Sequence, residues 1–119
     1  MKNIILLIAV MVVSACASMP TMKSMAGIYE AKISKDSFKT VFLGTGKVEI
    51  YYNDIKINEG DWSVVGREVH AESSKGETGI LRINSKARGY STLTDIASIV
   101  DGKRIDLPKE EQLTYKKIK

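Results

Sequence analysis

From Ala26 onward the chain alternates between short runs of period-two hydrophobicity and clusters of turn residues. "AGIYEAKI" sets Tyr29, Ala31 and Ile33 on one face and Glu30 and Lys32 on the other. "FKTVFL" follows and stops at "GTG", Gly44 to Gly46. "KVEIYY" groups Val48, Ile50 and Tyr52, and the pair Asn53-Asp54 turns the chain into "IKI". "EG" then leads to "DWSVV", where Trp62 and Val64 share a face. Gly66 introduces "REVHAES", with Val69 and Ala71 inward, and "TGILRIN" places Leu81 and Ile83 inward. "RIDL" and "QLTYKKI" close the pattern. Alternation of this kind gives each strand one buried face. Short strands with turn signals at this spacing predict an all-β antiparallel meander of about eight strands, folded as a small barrel or sandwich.

One segment reads two ways. In 91–101, Leu93, Ile96, Ala97 and Val100 fall at helical spacing, with Gly102 as a stop. The same segment is rich in β-branched residues, and Asp101-Gly102 is a hairpin turn. The strand is the reading adopted, with the helix as its alternative. The interior has no disulfide to support it, so Tyr29, Phe38, Phe42, Tyr52 and Trp62 are expected to supply much of the burial.

Ahead of the domain the pattern changes. Lys2 precedes an unbroken apolar run from Ile4 to Val13. That run is too short for a spanning helix, which needs about 20 apolar residues. Small residues follow, and the layout is that of an export signal helix. Val13-Ser14-Ala15-Cys16 resembles the lipobox of bacterial lipoproteins: an aliphatic residue, two small residues and an obligatory cysteine. The resemblance implies cleavage between Ala15 and Cys16, a diacylglyceryl group on the Cys16 thiol, and acylation of the new amino terminus. It also accounts for the position of the only cysteine in the chain. Residue 17 is alanine rather than aspartate. By resemblance to the enterobacterial sorting rule, this favours the outer membrane if the cell is Gram-negative.

"ASMPTMKSM" follows, with Pro20 and no periodicity, and reads as a flexible tether. Met19, Met22 and Met25 are spaced by three, which would suit a soft metal. No histidine lies near them, so the tether is the reading adopted. The expected organisation is a signal peptide at 1–15, a lipidated tether at 16–25 and a β domain at 26–119.

Charge narrows the function classes. The formal net charge is +4 with both signs interspersed, a solvated surface rather than the basic stripe of a nucleic-acid binder. The single histidine, His70, sits on the polar parity between Glu68 and Glu72. One His and one lipidated Cys do not make a zinc site, and no nucleophile stands beside a base. Glu110-Glu111 reads as a solvated turn, "GTG" is too short for a phosphate loop, and "YKKIK" reads as a basic strand end. No enzyme activity, cofactor or metal is therefore expected.

"GIYE … VFLGTGKVEIYYND … GDWSVVGREVHAE" resembles small lipocalin-like lipoproteins, with a Gly-aromatic first strand, a Gly-containing hairpin and a Gly-x-Trp strand. The resemblance implies an antiparallel barrel, either filled or forming a calyx. The function expected is a lipid-anchored envelope protein with a non-enzymatic binding domain. Its partners would be the membrane, through lipid on Cys16, and a small hydrophobic ligand or an envelope protein. Two alternatives stand beside it. One is a structural or assembly lipoprotein. The other is an inhibitor module similar to periplasmic lysozyme inhibitors, with "SKARGYS", Ser85 to Ser91, as the plugging loop. Those inhibitors normally carry a disulfide, which a chain with one cysteine cannot form internally.

Overall fold

The computed structural model describes residues 20–84 and 92–119. Ala15 and Cys16 of the lipobox, and the segment 85–91, lie outside them. The described elements begin with one helical turn, α1 (Met22–Met25). Nine strands follow: β1 (Gly27–Ile33), β2 (Asp36–Phe42), β3 (Lys47–Tyr52), β4 (Ile55–Val65), β5 (Glu68–Ser73), β6 (Thr78–Ile83), β7 (Thr92–Val100), β8 (Lys103–Asp106) and β9 (Thr114–Lys117). A 3-10 turn, Lys109–Glu111, precedes β9.

All pairings are antiparallel, and the sheet closes on itself. β1 to β6 form a meander, and β6 pairs with β7. β9 then bridges β7 and β1, through Leu93↔Tyr115 and Tyr29↔Lys117. Eight strands thus make a closed barrel, and β8 is an extra strand on the second half of β7. Closure removes the free edges that an open sheet of this size would carry. Of the two expected architectures, the barrel is the one formed.

The turns follow local chemistry. Asn53 and Asp54 both have positive φ (48° and 68°), as do Asp101 and Gly102 (53° and 77°). Such pairs match the right-handed twist of the strands they join. The segment 91–101 is strand, with a bulge that explains its helical spacing. Ile80 pairs with Ala97 but Leu81 pairs with Asp95, so Ile96 is the extra residue. The bulge flips the parity of β7. Leu93 opposes Ile83 inside, whereas Ala97 opposes Ile80 on the outer face.

That outer patch is not left wet: Ile80 and Ala97 are fully buried. Arg104 on β8 reaches Glu68 on β5, with Nη2 3.3 Å from Oε2. The path between them crosses β7 and β6, so the pair lies across the face that carries Ile80 and Ala97. Arg104 and His70 together hold the Glu68 carboxyl below the usual carboxylate range, the His70 hydrogen bond contributing most.

The core occupies one end of the barrel. Met25, Tyr29, Phe42, Val48, Trp62, Val69, Leu81 and Leu93 form one buried cluster. Tyr29 and Phe42 meet edge to face at 5.5 Å, and Phe42 and Trp62 lie 4.9 Å apart. The segment read as a tether ends here in ordered structure. A reciprocal Thr21–Ser24 capping box starts α1. Met25 enters the core, and its carbonyl accepts a 2.8 Å bond from the Tyr29 hydroxyl. Met22 packs against the same cluster, so both methionines are spent on burial. α1 therefore closes the near end of the barrel.

Candidate functional site

The far end is built differently. Following each strand inward from the near end, its core-facing positions change from buried to accessible. On β1 the series Tyr29, Ala31, Ile33 ends at 49% exposure. On β2 it runs from Phe42 and Thr40, both buried, to half-buried Phe38. On β3 buried Val48 gives way to half-buried Ile50 and Tyr52. On β5 Val69 is followed by Ala71 and Ser73, on β6 Leu81 by Gly79, and on β7 Leu93 by Asp95. Four isoleucines stand exposed at this end: Ile33, Ile55, Ile57 and Ile105.

The two walls of this far half differ in bulk. One carries Phe38, Ile50 and Tyr52, with the Phe38 and Tyr52 rings 5.0 Å apart. The other carries Ala71, Ser73, Gly79 and Asp95. Gly79 opposes Ala71, which packs on the core, so its missing side chain faces inward. A Cβ built there meets only the Ala71 carbonyl oxygen, at 4.0 Å. The small wall therefore leaves free space at Gly79. Eight-stranded barrels have room for packed side chains or one small ligand.

Asp95 is the chemical oddity of the interior. It opposes Leu81, a core residue, so its side chain starts on the inner face. Its own N–H is satisfied by the Leu113 carbonyl at 2.9 Å. Its carboxyl has no ion-pair or hydrogen-bond partner among the described residues. Burial pushes its pKa up, with no cation to offset the shift. Tyr115 lies close enough to feel it: burial first, and then the Asp95 charge, raise the Tyr115 hydroxyl to about 12. A hydrogen bond between Tyr115 and Thr40 works weakly in the other direction. The far half thus carries an aromatic wall and a half-buried carboxylate, with Tyr115 between them and the core.

This has a thermodynamic consequence. The folded pKa of Asp95 lies above its unfolded value, so the unfolded chain ionises first as pH rises. The Asp95 contribution is most favourable below the unfolded pKa and is lost as pH rises through the folded one. Asp95→Asn is therefore expected to unfold at higher urea than the native chain at pH 7. The gap should close as the pH is lowered to 3. An equal or lower midpoint for the variant at pH 7 would contradict this placement of Asp95.

Other residues singled out in the sequence are dispersed. His70 is on the outer wall, half-buried, with Nε2 3.0 Å from Glu68 Oε1. It is not beside Asp95 or Tyr115. Glu110 and Glu111 are exposed in the 3-10 turn. In the "YKKIK" segment, Lys117 folds back toward the Tyr29 ring, 6.0 Å from its centroid. Phe38 and Tyr52, expected in the core, line the far mouth instead. No group of three or more His, Cys, Asp or Glu side chains able to hold a metal occurs among the described residues. No described helix is long and apolar enough to cross a membrane. Comparison with protein-family models, curated proteins and solved structures finds no match to this chain.

Proposed function

We propose that this chain is a bacterial envelope lipoprotein, anchored through Cys16, whose small barrel binds a ligand through its far mouth without enzymatic chemistry. The observation that carries the reading is polarity. The lipobox cysteine stands five residues before Thr21, which caps the helix that plugs the near end. Five residues of chain reach at most about 18 Å. An anchor at Cys16 holds the closed end at the bilayer and turns the open end away from it.

The near rim suits that arrangement. Lys23 and Arg67 are exposed there, together with Leu43, Val65 and Ile118. Basic groups near an anionic leaflet each contribute about 1 kcal/mol of attraction. Two or more acyl chains supply stable anchoring, at about 0.8 kcal/mol per buried methylene. With Ala17 after the cysteine, the outer membrane is the favoured site in a Gram-negative cell.

The test is intact mass and membrane fractionation of the native chain beside Cys16→Ser. The native chain is expected in the membrane fraction, starting at Cys16 and carrying acyl groups. Cys16→Ser is expected to lose the acyl mass and the processing. A native chain of unmodified mass that retains Met1, or one cut elsewhere and free of membrane, would overturn the anchor.

A further inference from the structure

We propose that the near rim of the barrel is a docking surface for an anionic lipid bilayer, one that holds the barrel in a fixed orientation rather than leaving it to swing on its tether. The inference rests on the reading of Cys16 as a membrane anchor. It adds a second contact with the same membrane, made by protein side chains.

Four apolar side chains form one patch on the outer wall. Ile28 pairs with Val41 across β1 and β2. Leu43 follows Val41 on the same outward parity, and Ile118 donates a 2.8 Å backbone bond to the Ile28 carbonyl. Ile28, Val41 and Ile118 line one open groove. Leu43 and Ile118 are 38% and 50% exposed. Contiguous exposed apolar surface marks a contact with a protein or a membrane.

Charge favours the membrane over a second copy of the chain. Lys23 on α1 and Arg67 in the turn between β4 and β5 are exposed at this end. Lys117 lies beside them, its Nζ 3.5 Å from the Ser24 carbonyl oxygen. None of the three makes an ion pair among the described residues. The acidic side chains that flank the near turns are already taken, Asp61 by Lys47 at 2.8 Å and Glu68 by Arg104 at 3.3 Å. A second copy would set cations against cations, whereas an anionic leaflet attracts each of them. Thr21 lies within about 18 Å of Cys16 along the chain, so acyl groups in the leaflet bring this end to the headgroup layer.

The experiment uses the full acylated chain in vesicles of phosphatidylcholine, with or without phosphatidylglycerol. Acylation blocks the Cys16 thiol, so one new cysteine takes a fluorophore: Leu43→Cys or Ile118→Cys at the near rim, Ile55→Cys at the far mouth. All three native side chains are exposed. Quenching by lipids that carry a nitroxide near the headgroup reads contact with the bilayer, and vesicle flotation reads the anchor separately. In anionic vesicles the two rim labels are expected to be quenched and the Ile55→Cys label is not. Lys23→Gln combined with Arg67→Gln should shift the ratio of docked to undocked barrel about 30-fold toward undocked, and omitting phosphatidylglycerol should act in the same direction. A chain that floats with its rim labels unquenched, or with all three labels quenched alike, would overturn the docking surface and keep the anchor. Rim quenching unchanged by both the double variant and neutral lipid would overturn anionic lipid as the partner. Disulfide-linked dimers of unlabelled Ile118→Cys, without lipid quenching of its label, would assign the patch to a second copy instead. A chain that floats with neither kind of vesicle would overturn both the anchor and the docking surface.

Discussion

Truncating Trp62 to alanine is expected to lower the unfolding free energy by about 4 kcal/mol, the middle of the range for removing a buried aromatic side chain. Trp62 is 4% exposed and stands in the second half of β4. Its ring closes the series Tyr29–Phe42–Trp62. Its indole Nε1 donates to the Leu43 carbonyl at 2.8 Å, which ties β4 to the turn after β2. Truncation removes the burial, opens a cavity beside Phe42 in the core cluster, and frees that carbonyl. Domains of this size are stabilised by about 5–15 kcal/mol in total, so the loss is a large part of the whole. Trp62→Phe separates the two contributions. It keeps most of the burial and loses the hydrogen bond, and should cost about 1–2 kcal/mol. Urea titration by far-ultraviolet circular dichroism reads both variants. A loss under about 1 kcal/mol for Trp62→Ala would mean that the core is not centred where the structure puts it.

How much of this was legible in the sequence follows from what period-two alternation can and cannot carry. It placed the strands, because Tyr29, Val48, Trp62, Val69 and Leu81 each sit on the alternate positions that face inward. It also placed the turns at Asn53-Asp54 and Asp101-Gly102, whose residue types tolerate positive φ. It failed where the ladder is irregular. Glu59-Gly60 looked like a break between "IKI" and "DWSVV", yet β4 runs through it as one strand of 11 residues. Glycine there answers to crowding by the next strand rather than to a turn. The residues of 91–101 mimic a helical stripe because the bulge at Ile96 shifts parity midway.

The candidate site was less legible than the fold. Period two alone puts Leu93, Asp95, Ala97 and Ile99 on one face, a set that could face either way. Only the register against β6 separates Asp95, inside, from Ala97, outside. The pairing of β9 with β7 then brings Tyr115 near Asp95 from 20 positions away, which no local pattern encodes. Aromatic content foretold burial but not where along the barrel it would fall. The near end is filled because α1 contributes Met25 to it. Phe38 and Tyr52, at the end without such a plug, remain half-buried.

Gly60→Ala is expected to destabilise the domain by about 3 kcal/mol, the upper end of what overpacking usually costs. Gly60 pairs with Val48 on β3 and Ser73 on β5, so it lies in the middle of a wall. A Cβ added there falls inside the van der Waals radius of the Glu72 carbonyl oxygen. It also lies 2.8 Å from the Glu72 carbonyl carbon and 3.0 Å from the Ser73 Cα. These are backbone atoms of a paired strand, so no side chain can swing aside to make room. Either β4 or β5 must shift, and β5 carries Val69 of the core and Ala71 of the far interior. The backbone at Gly60 does not have positive φ, so the cost comes from space rather than torsion. Gly79→Ala provides the contrast. There the added Cβ meets one atom at 4.0 Å, and replacing a strand glycine should be neutral or gain up to about 1 kcal/mol. Unequal effects of one methyl group on two strands that flank β5 in the same sheet are the signature sought in the urea midpoints. Equal costs would mean that β4 and β5 are not pressed together at Gly60.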